Sequence, residues 1–349
     1  MKKILLILSV FVTLITSCGS DSSTLGLMPE SSGRCGEVLL VMPQRLMDGE
    51  IGDTVVKWLR QEFLVLPQYE PTLKVIYIKP NAYNDMFRKT RNVIICDVNP
   101  EHTRTEFRVE SNRYASPQIY ITLKAPSDSL FLKSWYNVEK YILDTIVSAE
   151  QQRFMYGFRK YRNSAAEEIM QKKHGVDMIV PTSGFNLDVD TTNFVWISKE
   201  TQVSSQGILM FDYPYNGPQD FDMQNMIRRM DSVLMLNVPG PAPDSYMAIE
   251  KKLPPFKFER GRNGKYLCEL RGLWEVEGDF LGGPFVSQSM VDTVNNRLVT
   301  LFSYVYGGKN DKKNLLWQLE AVMSTFNIHY DQSASQGKVR EDNLPTVNK

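Results

Sequence analysis

The sequence predicts an α+β protein in two halves, each containing helices and strands, the C-terminal one an antiparallel meander covered by a final helix. Three observations predict it. Short β-branched runs alternate with a helical repeat over residues 35–125, and helical character then persists across residues 128–173. Residues 256–306 hold four strand-like runs separated by turn chemistry, followed by an amphipathic segment.

In chain order, Met1-Lys2-Lys3 gives a positive start, and residues 4–15 form an apolar run of signal-peptide length that is too short for a span of roughly 20 residues. Ile15-Thr16-Ser17-Cys18 resembles the lipobox of bacterial lipoproteins, which places the cleaved segment at residues 1–17 and a lipid on Cys18. Acyl chains on one cysteine contribute about 0.8 kcal/mol per buried methylene, so two or three of them tether a chain firmly without crossing the bilayer. Residues 18–34, rich in Ser and Gly, read as a flexible tether. The polar, aromatic-free residues 331–349 read as a disordered tail.

An N-terminal α/β domain is expected over residues 35–175. Residues 37–42 form an apolar strand, and Ile51, Val55, Trp58, Leu59 and Phe63 recur at helical spacing. Strands return at 73–78, 91–97 and 118–123, with Pro71, Pro80, Pro100 and Pro117 near their ends. The 46 helical residues that follow would make a rod near 70 Å, so a break is expected, with Ser148 and Ser164 as capping serines for a restart. Lys172, Lys173 and His174 suit the negative end of a helix closed by Gly175.

A β-rich α+β domain is expected over residues 176–330. Its strands are placed at 177–180, 193–198, 207–213, 256–258, 265–276, 285–293 and 297–306, with a helix around 221–236. The turns 261–264 and Asn295-Asn296 take positive φ, and Leu316, Leu319, Val322, Met323 and Phe326 share one face of the last helix.

Gly272-Leu273-Trp274-Glu275, Gly282-Gly283-Pro284-Phe285, Asn296-Arg297-Leu298-Val299 and Leu319-Glu320-Ala321 resemble a family of Bacteroidetes lipoproteins, domain of unknown function 4837. Asn193-Phe194-Val195-Trp196-Ile197, Ser245-Tyr246-Met247, Arg91-Asn92-Val93-Ile94 and Pro117-Gln118 fit the same pattern, so the resemblance spans nearly the whole mature chain. It implies a Gram-negative envelope lipoprotein and brings no activity, substrate or catalytic residue.

Charge and motifs narrow the function. Lys plus Arg and Asp plus Glu balance at 40 each, which gives no support to nucleic-acid binding. Of four cysteines, three remain after the lipid-bearing one, so Cys35, Cys96 and Cys268 allow one disulfide at most. Three histidines, His102, His174 and His329, lie far apart, with no HExxH or GxSxG, so no metal or cofactor is expected. Asp97, Glu101 and His102 make the nearest ligand cluster, and a solvated loop explains them as well.

Residues 278–284 lack the GxGxxG spacing of a phosphate cradle and read as a sharp turn between strands. Glu275, Glu277 and Asp279 would share one strand face, without the facing partner a glycosidase needs. Phe154, Phe158 and Tyr161 form a helical stripe among Arg153, Arg159, Lys160 and Arg162, which core packing explains most simply. The loop around Tyr213 and Tyr215, held by Pro214 and Pro218, is the partner-binding candidate, its rings expected to be exposed and dispensable for stability, although packing of the rings over the sheet explains them at least as well.

The expected function is therefore a non-catalytic lipoprotein of the cell envelope, exported and held in the outer membrane by its lipid, that binds or scaffolds an envelope protein or glycan. The alternative is an envelope hydrolase acting on glycan, peptide or lipid through carboxylates.

Overall fold

The computed structural model describes residues 28–329. The segment 1–17, Cys18 and most of the tether, and Tyr330 with the tail 331–349, lie outside the described residues.

Strand β1 (Glu37–Val41) is buried at every position because it lies inside a parallel sheet with both faces covered. Its side chains alternate between two apolar clusters, Val38 and Leu40 on one face and Leu39 and Val41 on the other. Helix α1 (Glu50–Leu59) buries Ile51, Val55 and Leu59 at the spacing read in the sequence. Strands β2 (Lys74–Ile78), β3 (Asn92–Val98) and β5 (Ile119–Ala125) run parallel to β1, and β4 (Glu106–Ser111) pairs antiparallel with β5. The sheet order is β2-β1-β3-β5-β4. Strand β4 escaped the sequence reading because EFRVES is a polar edge strand with no buried position.

The long helical region does break. Helix α2 (Asp128–Lys160) spans 33 residues, close to 50 Å at 1.5 Å each, and α3 (Ser164–His174) follows. The cap is not a serine: Asn163 accepts a hydrogen bond from the Ala166 amide at 3.1 Å, while Ser148 lies inside α2. Glu167 does not reach back to cap but pairs with Arg162 and accepts the Val180 amide. Gly175 closes α3 at φ 64°, a conformation a side chain disfavours.

The second sheet is antiparallel and eight-stranded. The chain passes through the two-residue β6 (Val176–Asp177), shorter than expected, then β7 (Asn186–Asp190), β8 (Phe194–Glu200) and β9 (Ser205–Pro214). Helix α4 (Met223–Asn237) and β10 (Tyr246–Ile249) lead to the meander β11 (Phe256–Arg262), β12 (Lys265–Glu277), β13 (Gly282–Asp292) and β14 (Arg297–Tyr306). The order is β10-β12-β13-β14-β9-β8-β7, with β11 paired to the first half of β12. Asn263 and Asn296 turn the chain at φ 52° and 49°, as the sequence indicates.

Helix α5 (Lys313–Met323) lies between the two sheets, and β15 (Asn327–Ile328) after it pairs with β6. One apolar cluster runs through Leu40, Ile121, Trp135, Ile208, Val299, Leu301 and α5. A second cluster, on the far face of the second sheet, packs Phe211, Phe302 and Trp274 against Met226, Met230 and Leu234 of α4.

Because α5 is covered all round, its polar groups need internal partners. Glu70 supplies them at its start: one carboxylate oxygen accepts the Lys312 amide at 2.7 Å and the other the Lys313 amide at 3.0 Å. Lys313 answers by donating to the Pro71 and Thr72 carbonyls. Further along, Glu320 binds Arg271 at 2.6 Å and Gln151 at 2.7 Å, tying α5 to β12 and to α2. Arg271 also holds Glu269 at 2.7 Å.

No helix among the described residues is long and apolar enough to cross a membrane. Cys35, Cys96 and Cys268 are all free thiols.

The Gly282-Gly283-Pro284 run is explained by close approach. A Cβ on Gly283 would sit 2.0 Å from the Val305 carbonyl oxygen, which also accepts the Trp274 indole. Gly283→Ala is therefore expected to lower stability by at least about 1–3 kcal/mol, the range for overpacking. Gly157→Ala, in α2 with nothing within 4 Å, should raise it by about 0.5–1 kcal/mol. Urea unfolding midpoints check both; equal shifts of one sign would contradict the packing argument.

Candidate functional site

The end of β9 delivers the chain to an aromatic cleft. Asn296 fixes the exit by accepting the Tyr215 amide on its carbonyl oxygen at 3.0 Å. The Asn216 amide then donates to Asp220 at 2.7 Å, and Pro218–Phe221 winds into a 3-10 turn. This loop faces the β11–β12 hairpin, so Tyr215 and Phe221 meet Tyr266 of β12. Phe221 and Tyr266 pack edge to face with centroids 4.8 Å apart, and Tyr215 and Phe221 lie tilted at 6.1 Å. Together with Val291 and Thr293 they enclose a surface cleft of about 670 Å³.

The rim is charged and balanced. Asp222, Lys257, Glu259 and Lys265 line it, and Lys257 pairs with Glu259 at 3.0 Å. Hydrogen bonds from Lys257 and Tyr266 hold the Glu259 carboxyl below the usual carboxylate range. Desolvation first, and the bond to Glu259 second, push the Tyr266 phenol up. A general acid needs the opposite shift, a carboxyl raised towards neutrality. The arrangement suits recognition: flat rings offer contact area while fixed donors and acceptors set orientation.

Of the two tyrosines singled out in the sequence, the structure brings only Tyr215 to the cleft. Tyr213 belongs to β9 rather than to a loop and pairs with Leu298. Its ring is half-buried against the second core, with the Arg229 guanidinium 5.0 Å from its centroid. Burial pushes its phenol up to about 12. The expectation of two exposed rings is thus corrected for both: the strand runs on to Pro214 and turns Tyr213 onto the α4 face, and Tyr215 is half-buried against Phe221.

Tyr266 and Phe221 were missed. The Asn263-Gly264 turn could have found Tyr266, since it fixes which residues of the hairpin face each other.

The other candidates do not converge. His102 pairs with Asp97 at 2.8 Å, His174 with Asp190 at 2.8 Å and His329 with Asp177 at 3.0 Å, each in a different place. Among the described residues no group of three or more potential ligands could hold a metal ion. Glu277 pairs with Lys251 at 2.7 Å. Glu275 sits beside Glu250, and burial, then the Glu250 charge, raise its carboxyl. In the basic-aromatic stripe, Phe158 is buried and Tyr161 exposed, while Arg153 turns inward to Glu150.

Residues 163–325 match the family described as Domain of unknown function (DUF4837). Residues 31–159 match a second, Domain of unknown function (DUF8532). The resemblance therefore divides: Arg91-Asn92-Val93-Ile94 and Pro117-Gln118 fall in the second family. A search of curated proteins finds no match. Among solved structures, the chain is similar to the Ran-binding protein Mog1p of Saccharomyces cerevisiae at 9% identity, over 44% of this chain and 90% of that one, with a TM-score of 0.30. It is also similar to LpqN, involved in cell envelope biogenesis of Mycobacterium tuberculosis, at 11% identity, over 44% and 83%, with a TM-score of 0.27. Likenesses this low carry no argument about function.

Position separates the two tyrosines, both half-buried: Tyr213 packs within β9 under Arg229, whereas Tyr215 lines the cleft. Tyr213→Ala should lower stability by about 1–3 kcal/mol, as truncation of a packed side chain does. Tyr215→Ala should cost distinctly less. Thermal and urea unfolding of the two single variants checks this; the reverse ranking would return Tyr213 to an exposed loop.

Proposed function

From a chain whose residues 163–325 carry the DUF4837 domain, we propose a non-catalytic lipoprotein of a Gram-negative cell envelope that binds a glycan or protein partner through the Tyr215, Phe221 and Tyr266 cleft. Acyl chains on Cys18 tether it to the outer membrane, and the lipobox-like Ile15-Thr16-Ser17-Cys18 supports that part of the reading. The observation that carries the binding role is the aromatic wall set among paired charges. Rings stack on the apolar faces of sugars or side chains, and Asp222, Glu259 and Lys257 exchange hydrogen bonds with hydroxyl or amide groups.

A hydrolase acting through carboxylates is the second reading, and one observation favours it. Glu275 lies beside Glu250: burial, then the Glu250 charge, raise the Glu275 carboxyl, while the Lys252 amide holds the Glu250 carboxyl low. Paired carboxyls with separated proton affinities are what acid-base hydrolysis uses. They lie at the β10–β12 edge, apart from the aromatic cleft.

Co-sedimentation with cell-wall glycan, and cross-linking capture from the envelope, test the proposal. Tyr215→Ala with Tyr266→Ala should weaken binding about tenfold or more, on the scale of interface aromatics. Cys18→Ala should leave that binding intact while releasing the protein from the membrane fraction. Undiminished capture by the double tyrosine variant, with hydrolysis abolished by Glu275→Gln, would replace the binder by the hydrolase.

A further inference from the structure

A second cavity, of about 720 Å³, lies against the first sheet, beside residues 30 and 31. Residues 29–32 run along it in short parallel bridges, Glu30 to Ser116 and Ser32 to Thr90. Its floor is the N-terminal end of β3 and β5, and its wall is α2, through Gln152, Arg153 and Tyr156.

Two arginines meet there with a single buried carboxylate. Glu150, with no exposed surface, binds Arg91 at 2.5 Å and Arg153 at 3.0 Å. Its other partner is the neutral Asn92 amide at 2.7 Å. Arg153 is fixed further by Asn92 Oδ1 at 3.1 Å and the Arg91 carbonyl at 2.9 Å, and its side chain is only 9% exposed. The Nε atoms of both arginines are buried without a partner. A buried cluster with two guanidinium groups and one carboxylate holds one uncompensated positive charge, which is costly unless an anion completes it. Burial pulls the Arg153 guanidinium down to about 10, in keeping with that excess.

The surroundings are those of a polar ligand site. Ser31, Ser116 and Asn112 line the cavity, and the exposed Tyr156 stands at it. Glu30 also lines it as an exposed carboxylate, so the anion must enter on the arginine side of the opening. Glu37, the other nearby acid, is committed to Lys74 and to the Arg34 amide.

We infer that this cavity binds a phosphate monoester or diester, with Arg91 and Arg153 as the anchoring cations. Guanidinium groups held rigid by internal hydrogen bonds are preorganised for such oxyanions. The inference stands apart from the aromatic cleft, shares no residue with it, and holds whether that cleft binds a partner or not. Two sources supply this chemistry: a soluble phosphate ester, or the headgroup of a lipid lying below the point where the chain enters the fold.

The test uses the full mature chain. Glycerol 3-phosphate is titrated calorimetrically, and co-sedimentation compares vesicles of phosphatidylglycerol with vesicles of phosphatidylcholine. Binding of the free ester without a vesicle preference assigns a soluble ligand. Preference for phosphatidylglycerol assigns the headgroup, and in either case Arg91→Gln should weaken binding at least tenfold. Should Arg91→Gln fail to fold, Gln152→Glu at the exposed rim should give the same loss without touching the buried network. Absence of binding to both probes, or binding indifferent to Gln152→Glu, overturns the inference.

Discussion

The fold depends on one carboxylate placed far from the helix it serves. Glu70, in the loop before β2, accepts the Lys312 and Lys313 amides and so completes the first turn of α5. A helix start leaves several N–H groups without partners, and this one is buried where water cannot supply them. No side chain of the neighbouring sequence does so. Lys313 returns the contact to the Pro71 and Thr72 carbonyls, and the Trp317 ring packs edge-on to Phe63 at 5.9 Å. The last helix among the described residues is thereby fastened to the chain's first third, with the second sheet on its other side. The Glu320–Arg271–Glu269 chain ties α5, near the helix's C-terminal end, to β12.

This placement explains where the surfaces lie. With one face of each sheet turned to the α2 and α5 layer, the far face of the second sheet is left for α4, and the aromatic cleft forms where the β9 loop crosses the β11–β12 hairpin. The arginine cavity forms against the first sheet, where α2 and residues 30–31 close over the start of β3 and β5. Each uses side chains that the core holds still: Phe221 is buried behind Tyr266, and Arg153 behind Arg91. Rigid supports of this kind lower the cost of ordering a binding surface.

Much of this was legible in the sequence. The apolar run EVLLV, the spacing of Ile51, Val55 and Leu59, the Gly175 stop and the Asn263 turn each express local physics, and each predicts its element. Edge strands such as NLDVD in β7 and EFRVES in β4 do alternate, but over only five or six residues with two apolar positions each, because their outer side chains are free to be polar, and so short a pattern does not stand out. The sites were harder. Tyr215 drew notice through its prolines, but Tyr266 is 51 positions away and meets it only by hairpin register. Glu150 and Arg153 read as one turn of a charged helix face, and Asn92 and Arg91 as the start of a strand; only the packing of α2 on β3 makes them a buried cluster. Likewise nothing around Glu70 announces a cap for a helix 242 residues on.

Native-state hydrogen exchange in increasing urea measures most directly whether α5 binds both sheets into one cooperative unit. Amides of β3 and β5 should then open at the same free energy as those of β13 and β14. Glu70→Ala should lower both by an equal amount, about 1–3 kcal/mol for two buried donors left without an acceptor. A loss confined to one sheet, or two sheets opening independently in the native protein, would contradict the account.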